Sequence, residues 1–358
     1  MKKNNKKIDF SNQVIYVGID VHKRSWTITI HIAGIQITTY SMDPSPEQLI
    51  KYLTTHYPGG IYRSVYEAGF CGYWIDRRLR EHGVKNIIVN PADVPTSSKE
   101  KTRKTDSIDS KKLARELSGE TLTGIYIPSP EEEAQRVLSR LRIQLTKDQT
   151  RYKNRIKSLL NLLGVHLPEN CEMQHWSRRF IAHLEEMEFE HEPLKQTLNH
   201  LLKQLMSLRN EILIALKQLR EMVKKNEKTK KTIDNLMSVP GVGFVTAITI
   251  YSEVMNIYRF RRLDELGSFV GLAPSCHSSG EKEKVLGISR RQNANLRNML
   301  IESAWIAIRT DPTMTMVFGN LTQRMKKQDA IIRIAKKLLN RIMYVWKNEK
   351  EYVFAVVE

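Results

Sequence analysis

Apolar and polar positions change their period twice along this chain. Val14 to Ile19 is a short apolar run, and Trp26, Ile28, Ile30 and Ile32 alternate with Thr27, Thr29 and His31, the period-2 pattern of a strand buried on one face. Ala33-Gly34 turns the chain into Ile35 to Tyr40, so the three segments predict an antiparallel meander. Strand-like runs at Tyr62 to Tyr66 and Val84 to Val89 then alternate with helical patterns near 46–56 and 72–82. That order predicts a mixed sheet with helices on its faces.

From Pro128 to residue 235 the chain is rich in Leu, Lys, Glu, Gln and Arg, and Gly164 is its one glycine. Leu138, Leu141, Leu145, Tyr152, Ile156, Leu159 and Leu163 recur at helical spacing, as do Leu194, Leu198, Leu201, Leu205, Leu208, Ile212 and Leu219. Long amphipathic helices follow, paired as a hairpin or coiled coil and interrupted near 164–171; the plain reading is a spacer or self-association element. A mainly helical segment begins near Thr232, with Pro240-Gly241-Val242-Gly243 between apolar stretches, a Gly/Ser-rich loop at 271–287, and helical patterns at Ala294 to Arg309 and Ala330 to Val345. The expected domains are 1–127, 128–231 and 232–358.

Charge narrows the class of partner. The 358 residues carry 57 Lys+Arg against 39 Asp+Glu, a formal charge of +18, and the excess is spread over all three segments. Such a footprint suits a protein lying along a polyanion, because phosphate neutralisation releases counterions. With 41% hydrophobic residues the chain can bury real cores, which excludes a disordered chain. No apolar stretch reaches the roughly 20 residues of a membrane span, and MKKNNKKIDF has charge with no apolar region behind it. Cys71, Cys171 and Cys276 lie far apart with no CxxC pair, against a zinc ribbon or a disulfide framework. A cytoplasmic protein in a reducing compartment is expected.

Four carboxylates carry candidate chemistry. Asp20 ends the first strand, Glu67 ends the strand-like Ser64-Val65-Tyr66, and Asp106 and Asp109 open a helix at Lys104-Thr105-Asp106-Ser107-Ile108-Asp109. The i, i+3 spacing sets the last two on one helical face. Converging carboxylates repel unless a divalent cation neutralises them, and oxygen ligation suits Mg²⁺ or Mn²⁺. Solvated strand-end acids or a helix cap fit the same residues taken singly.

The order of these acids resembles the RNase H-like, RuvC-type nuclease fold. More closely, Tyr16-Val17-Gly18-Ile19-Asp20-Val21-His22-Lys23, Tyr66-Glu67-Ala68-Gly69-Phe70-Cys71-Gly72-Tyr73 and Lys104 to Asp109 resemble the signature blocks of the DEDD transposases, insertion-sequence recombinases related to the pilin-gene invertases. The resemblance implies catalytic and metal-binding roles for Asp20, Glu67, Asp106 and Asp109.

It continues through the C-terminal segment. Ser238-Val239-Pro240-Gly241-Val242-Gly243 has the form of a helix-hairpin-helix turn, in which Gly241 and Gly243 let the backbone approach a phosphate; a tight turn between packed helices fits equally. Phe269 to Gly280 and Gly287 to Arg297 are similar to the family's C-terminal blocks, which implies that Ser279, before Gly280, is the nucleophile. Ser278 beside it is the confounder. From the residues alone this stretch reads as a polar loop. Lys282, Lys284, Arg290, Arg291 and Arg297, with Lys101, Arg103 and Lys104 ahead of the acid pair, are candidate phosphate contacts or a solvated basic surface.

The resemblance implies a DNA transposase or site-specific recombinase that forms a phosphoserine link at a site shared with the metal-bearing acids. It also implies element-end and target DNA, a structured guide RNA from the element, and a homodimer or homotetramer. Two other readings use the same residues. A RuvC-like structure-selective endonuclease would employ water and be indifferent to Ser279, and a non-catalytic DNA-binding protein would carry the acids as remnants.

Overall fold

The computed structural model describes residues 9–96, 105–165, 167, 175–279, 282–288 and 293–354, with 274–279 and 282–288 described through their backbone. The chain divides into two units, Met1–Ile127 and Pro128–Glu358.

The first unit is a five-stranded sheet with helices on both faces. Its strands are β1 (Val14–Val21), β2 (Trp26–Ile32), β3 (Ile35–Met42), β4 (Ile61–Glu67) and β5 (Lys85–Val89), in the order β3-β2-β1-β4-β5. β1, β2 and β3 form the expected antiparallel meander, while β4 runs parallel to β1 and β5 parallel to β4. The alternation of side chains along β4 shows how the layers are made. Tyr66 faces Leu49 and Leu53 of α1 (Pro46–His56) and Ile75 and Leu79 of α2 (Trp74–Glu81); Val65 faces Leu113 and Leu117 of α3 (Asp106–Ser118) on the other side.

One glycine sets how closely α3 lies on the sheet. A Cβ on Gly18, in the middle of β1, would stand 2.2 Å from the Ser110 carbonyl oxygen and 2.5 Å from the Ala114 nitrogen. Glycine inside a strand marks such a close backbone approach. The buried Ser110 hydroxyl meets that of Thr29 in β2 at 2.9 Å, which fixes the helix along the sheet.

The second unit is mostly helical. α4 (Pro130–Leu162) opens on Ser129 and Glu132, whose side chains cap each other's backbone N–H reciprocally, with Pro130 in the first turn. It packs along α6 (Glu192–Lys224), with α5 (Arg178–Glu186) between them in sequence, around Ile156, Leu160, Phe180, Leu198, Leu202 and Leu205. Leu219 and Val223 of α6 belong instead to the core of the helices that follow: α7 (Glu227–Met237), α8 (Phe244–Val254), α9 (Leu263–Val270), α10 (Ala294–Thr310), α11 (Pro312–Thr322) and α12 (Lys327–Asn348).

The stretch 271–287 departs from the loop expected of its Gly and Ser content. β6 (Pro274–Ser279) and β7 (Lys282–Ile288) pair antiparallel, with Ser279 opposite Lys282 and Ser278 opposite Glu283. Backbone pairing needs no apolar side chains, so composition concealed the hairpin. Among the described residues no helix is long and apolar enough to cross a membrane.

Candidate functional site

The parallel register of β1 and β4 pairs Ile19 with Tyr66, so Asp20 and Glu67, the next residues, lie side by side at the same end of adjacent strands. The first turn of α3 comes to that end as well. Thr105 caps this helix, its hydroxyl accepting the Ile108 N–H, so Asp106 and Asp109 are not consumed as caps. Both stand in the first helical turn, where the macrodipole favours negative charge.

Two further side chains knit the four acids into pairs. His22 Nε2 lies 3.2 Å from Asp20 Oδ2 and 3.4 Å from Asp106 Oδ1. The Lys112 ammonium lies 3.5 Å from Glu67 Oε1 and 3.3 Å from Asp109 Oδ1, and its side chain is only 7% exposed. One ligand atom from each of Asp20, His22 and Asp106 falls within 4.8 Å of the others, close enough for one metal ion. Asp20 is pushed above the usual carboxylate range, chiefly by burial and further by the charges of Asp106 and Asp109, although His22 pulls it down. Crowded negative charge is what a divalent cation relieves, so Asp20, His22 and Asp106 fit one, while Glu67 and Asp109 are paired with Lys112.

Sequence reasoning missed His22 and Lys112 as parts of this site. His22 sits two residues beyond Asp20, one step outside β1. Lys112 is one helical turn after Asp109 on the buried face of α3, and a lysine among Ser110, Leu113, Ala114 and Leu117 was the available signal.

The remaining candidates are less gathered. Gly241 has φ +85°, and a Cβ there would meet the Ser303 carbonyl oxygen of α10 at 2.3 Å, so helix packing accounts for this glycine. Gly243 begins α8 and has open space where its Cβ would point. Ser279 ends β6, and Lys282 and Lys284 lie on β7; their backbones alone are described. Arg297 lies in the first turns of α10, partly buried. Lys101, Arg103, Lys104, Gly280, Arg290 and Arg291 lie outside the described residues.

Two family models match this chain. A DEDD transposase domain matches residues 17–164, which hold all four acids, and the model described as "Transposase IS116/IS110/IS902 family" matches 233–318, which holds the hairpin. Among curated relatives, y4rJ of Sinorhizobium fredii, also named a transposase, is 30% identical over 309 residues, 79% of this chain and 76% of the relative. This chain belongs to the IS110/IS116 transposase family.

Other members agree. The transposase for insertion sequence element IS1111A of Coxiella burnetii is 29% identical over 67% of this chain and 64% of its own length. The transposase for IS1533 of Leptospira borgpetersenii is 30% identical over 67% and 69%. A DEDD transposase domain has an RNase H-like fold and uses a divalent metal, and the mixed sheet and acid cluster described above are consistent with both. Transposases of this family cut and rejoin DNA.

Proposed function

We propose that this chain is the recombinase of an insertion sequence, which cuts and rejoins DNA through a covalent phosphoserine at Ser279 with Mg²⁺ or Mn²⁺ held by Asp20, Glu67, Asp106 and Asp109. The observation that carries the reading is the crowding of Asp20 by Asp106 and Asp109 at the ends of β1 and α3. A bound divalent cation supplies charge neutralisation at a phosphodiester. Asp20, the more buried of the two carboxylates beside His22, gains more from it than Asp106 does. Lys112 keeps Glu67 and Asp109 drawn together, and His22 does the same for Asp20 and Asp106.

In the reaction a bond forms from Ser279 Oγ to phosphorus while the bond from phosphorus to a deoxyribose oxygen breaks. The hydroxyl proton leaves Oγ, and the departing oxygen takes up a proton. The covalent link conserves the bond energy, so the reverse step rejoins strands without ATP. Lys101, Arg103, Lys104, Lys282, Lys284, Arg290, Arg291 and Arg297 contact phosphates, and the turn at Gly241 and Gly243 contributes backbone N–H groups. A structured RNA from the element pairs with donor and target, which leaves backbone and shape to the protein. Exchange of two duplexes calls for a dimer or tetramer, working in the cytoplasm at the nucleoid.

The test is incubation of the purified protein with Mg²⁺, the element's RNA and labelled donor and target duplexes. A protein–DNA adduct that survives denaturation, lost in Ser279→Ala and in Asp20→Asn, supports the reading. Metal-dependent cleavage with free ends, unchanged in Ser279→Ala, would make the protein a RuvC-like endonuclease that uses water. Binding with no strand chemistry would leave a DNA-binding protein.

A further inference from the structure

α8 carries one carboxylate that the chemistry above does not use. The Glu253 side chain is 2% exposed near the end of an otherwise uncharged helix. Burying a carboxylate is costly unless it is paired and hydrogen-bonded. Two donors from distant parts of the chain meet that need. Arg140 of α4 binds in the bidentate manner, Nε to Oε1 at 2.6 Å and Nη2 to Oε2 at 2.8 Å. Asn293 Nδ2 donates to the same Oε2 at 2.8 Å.

Asn293 is placed where the hairpin returns to the helical body, five residues after β7 ends at Ile288. Its amide works at both ends. Oδ1 caps α10 by accepting the Leu296 N–H at 3.2 Å, while Nδ2 holds Glu253. Its own backbone N–H reaches the Phe269 carbonyl in α9 at 3.4 Å. The other root of the hairpin is tied down too, since the Gly271 and Leu272 N–H groups both donate to the Gly267 carbonyl at 2.8 Å.

α4 reinforces this arrangement along its length. One turn before Arg140, Arg136 Nε donates to the Ser252 carbonyl at 3.3 Å; further on, the Lys147 ammonium reaches Asn295 Oδ1 in α10 at 2.9 Å. A helix that only spaced two parts of the protein would have no need of these reaches into α8 and α10.

We propose that Glu253, held by Arg140 and Asn293, is the positioning group of the Ser279 hairpin, and that α4 acts as its strut. The proposal rests on the reading of Ser279 given above. Glu253 touches no substrate; it acts through Asn293, at the point where the hairpin rejoins the helical body. Small misplacements of a reacting group, about 1 Å, cost on the order of a hundredfold in rate.

The test separates positioning from folding. Asn293→Asp keeps an equally good cap for α10 but sets a second carboxylate against Glu253. Adding Glu253→Gln restores one donor–acceptor pair in the opposite sense and leaves one amide oxygen to accept from Arg140. The readouts on the full chain are the rate of adduct formation with Mg²⁺, RNA and duplexes, DNA affinity, thermal midpoint, and amide hydrogen exchange of residues 282–288. We expect Asn293→Asp to slow adduct formation about a hundredfold, to speed exchange across 282–288, and to leave DNA affinity intact. The double variant should recover most of both losses. An unchanged rate and exchange in Asn293→Asp would overturn the proposal, as would a rate loss that merely tracks the thermal midpoint, or a double variant no better than the single. If Ser279→Ala still cleaves like the parent, the serine reading falls by itself, while exchange at 282–288 still decides whether Glu253 holds the hairpin.

Discussion

Gly18 and Ser110 approach so closely that a β-carbon on the first would stand 2.2 Å from the carbonyl oxygen of the second. This one contact sets the depth of α3 on β1, and with it the distance from Asp20 to Asp106 and Asp109. Gly18→Ala forces the helix off the sheet, since the clash is with backbone that cannot rotate away. The expected cost is about 3 kcal/mol of stability, from overpacking in a buried layer. Divalent metal affinity should fall as well, because the acids move apart. Urea unfolding and Mn²⁺ titration check both, and a variant with parental stability would show that α3 is free to shift.

Lys112 is a positive charge buried beside Glu67 and Asp109 that sequence reading did not find. Replacing it with methionine keeps most of the stem volume and removes the ammonium, leaving Glu67 and Asp109 facing each other without a counter-charge. The metal-free protein should lose about 2 kcal/mol, the usual scale for stripping one partner from a partly buried pair. Mg²⁺ should recover more stability in Lys112→Met than in the parent. Thermal melts with Mg²⁺ and with chelator measure the difference, and equal metal increments in the two proteins would remove Lys112 from the centre.

The period-2 runs made the sheet legible, and the strand-end positions of Asp20 and Glu67 made half of the site legible with it. Glycine at position 18 could also have been read as a close approach inside a strand. What the letters do not carry is the pairing across elements. His22 and Lys112 join the acids only because α3 lies over β1, a fact of tertiary packing. The hairpin at 274–288 was hidden for another reason: its pairing is made by backbone groups, and Ser-Ser-Gly reads as a loop by composition. Glu253 was visible as the lone charge in the stretch from Phe244 to Val254. Its meaning depended on Arg140 and Asn293, 113 and 40 residues away.

The raised pKa of Asp20 fixes the sign of a pH effect. A carboxyl whose folded value lies above its unfolded one binds the proton more tightly when folded. In the metal-free protein the stability it contributes is therefore present in acid, below the unfolded value, and is lost as pH rises through the folded value. At neutral pH ionised Asp20 costs stability, so metal-free Asp20→Asn should be more stable than the parent by about 1 kcal/mol, the trade expected at a functional site. Saturating metal should reverse the order, since a ligand at a hundred times its dissociation constant adds ~2.7 kcal/mol to the parent. Melts across pH 4 to 8, with chelator and with Mg²⁺, give all four values. A variant less stable than the parent in chelator would show that Asp20 is not under strain.

Gly241 and Gly243 stand two residues apart in one turn, yet their surroundings assign them different work. Gly241 needs both its φ of +85° and the space against Ser303, so Gly241→Ala should unfold the second unit or cost it several kcal/mol, on the scale of combined strain and overpacking. Gly243 has an ordinary φ of −86° and nothing within 4 Å of where a Cβ would lie. Gly243→Ala should therefore fold with a loss of about 1 kcal/mol or less at the start of α8. If the turn offers its N–H groups to phosphate, the added methyl obstructs the approach, and duplex affinity should fall severalfold in a protein whose melt is nearly parental. Fluorescence anisotropy with a labelled duplex, read beside the melt, decides the matter. An unchanged affinity in Gly243→Ala would give the turn to helix packing alone and move the DNA contacts to the basic residues around the hairpin.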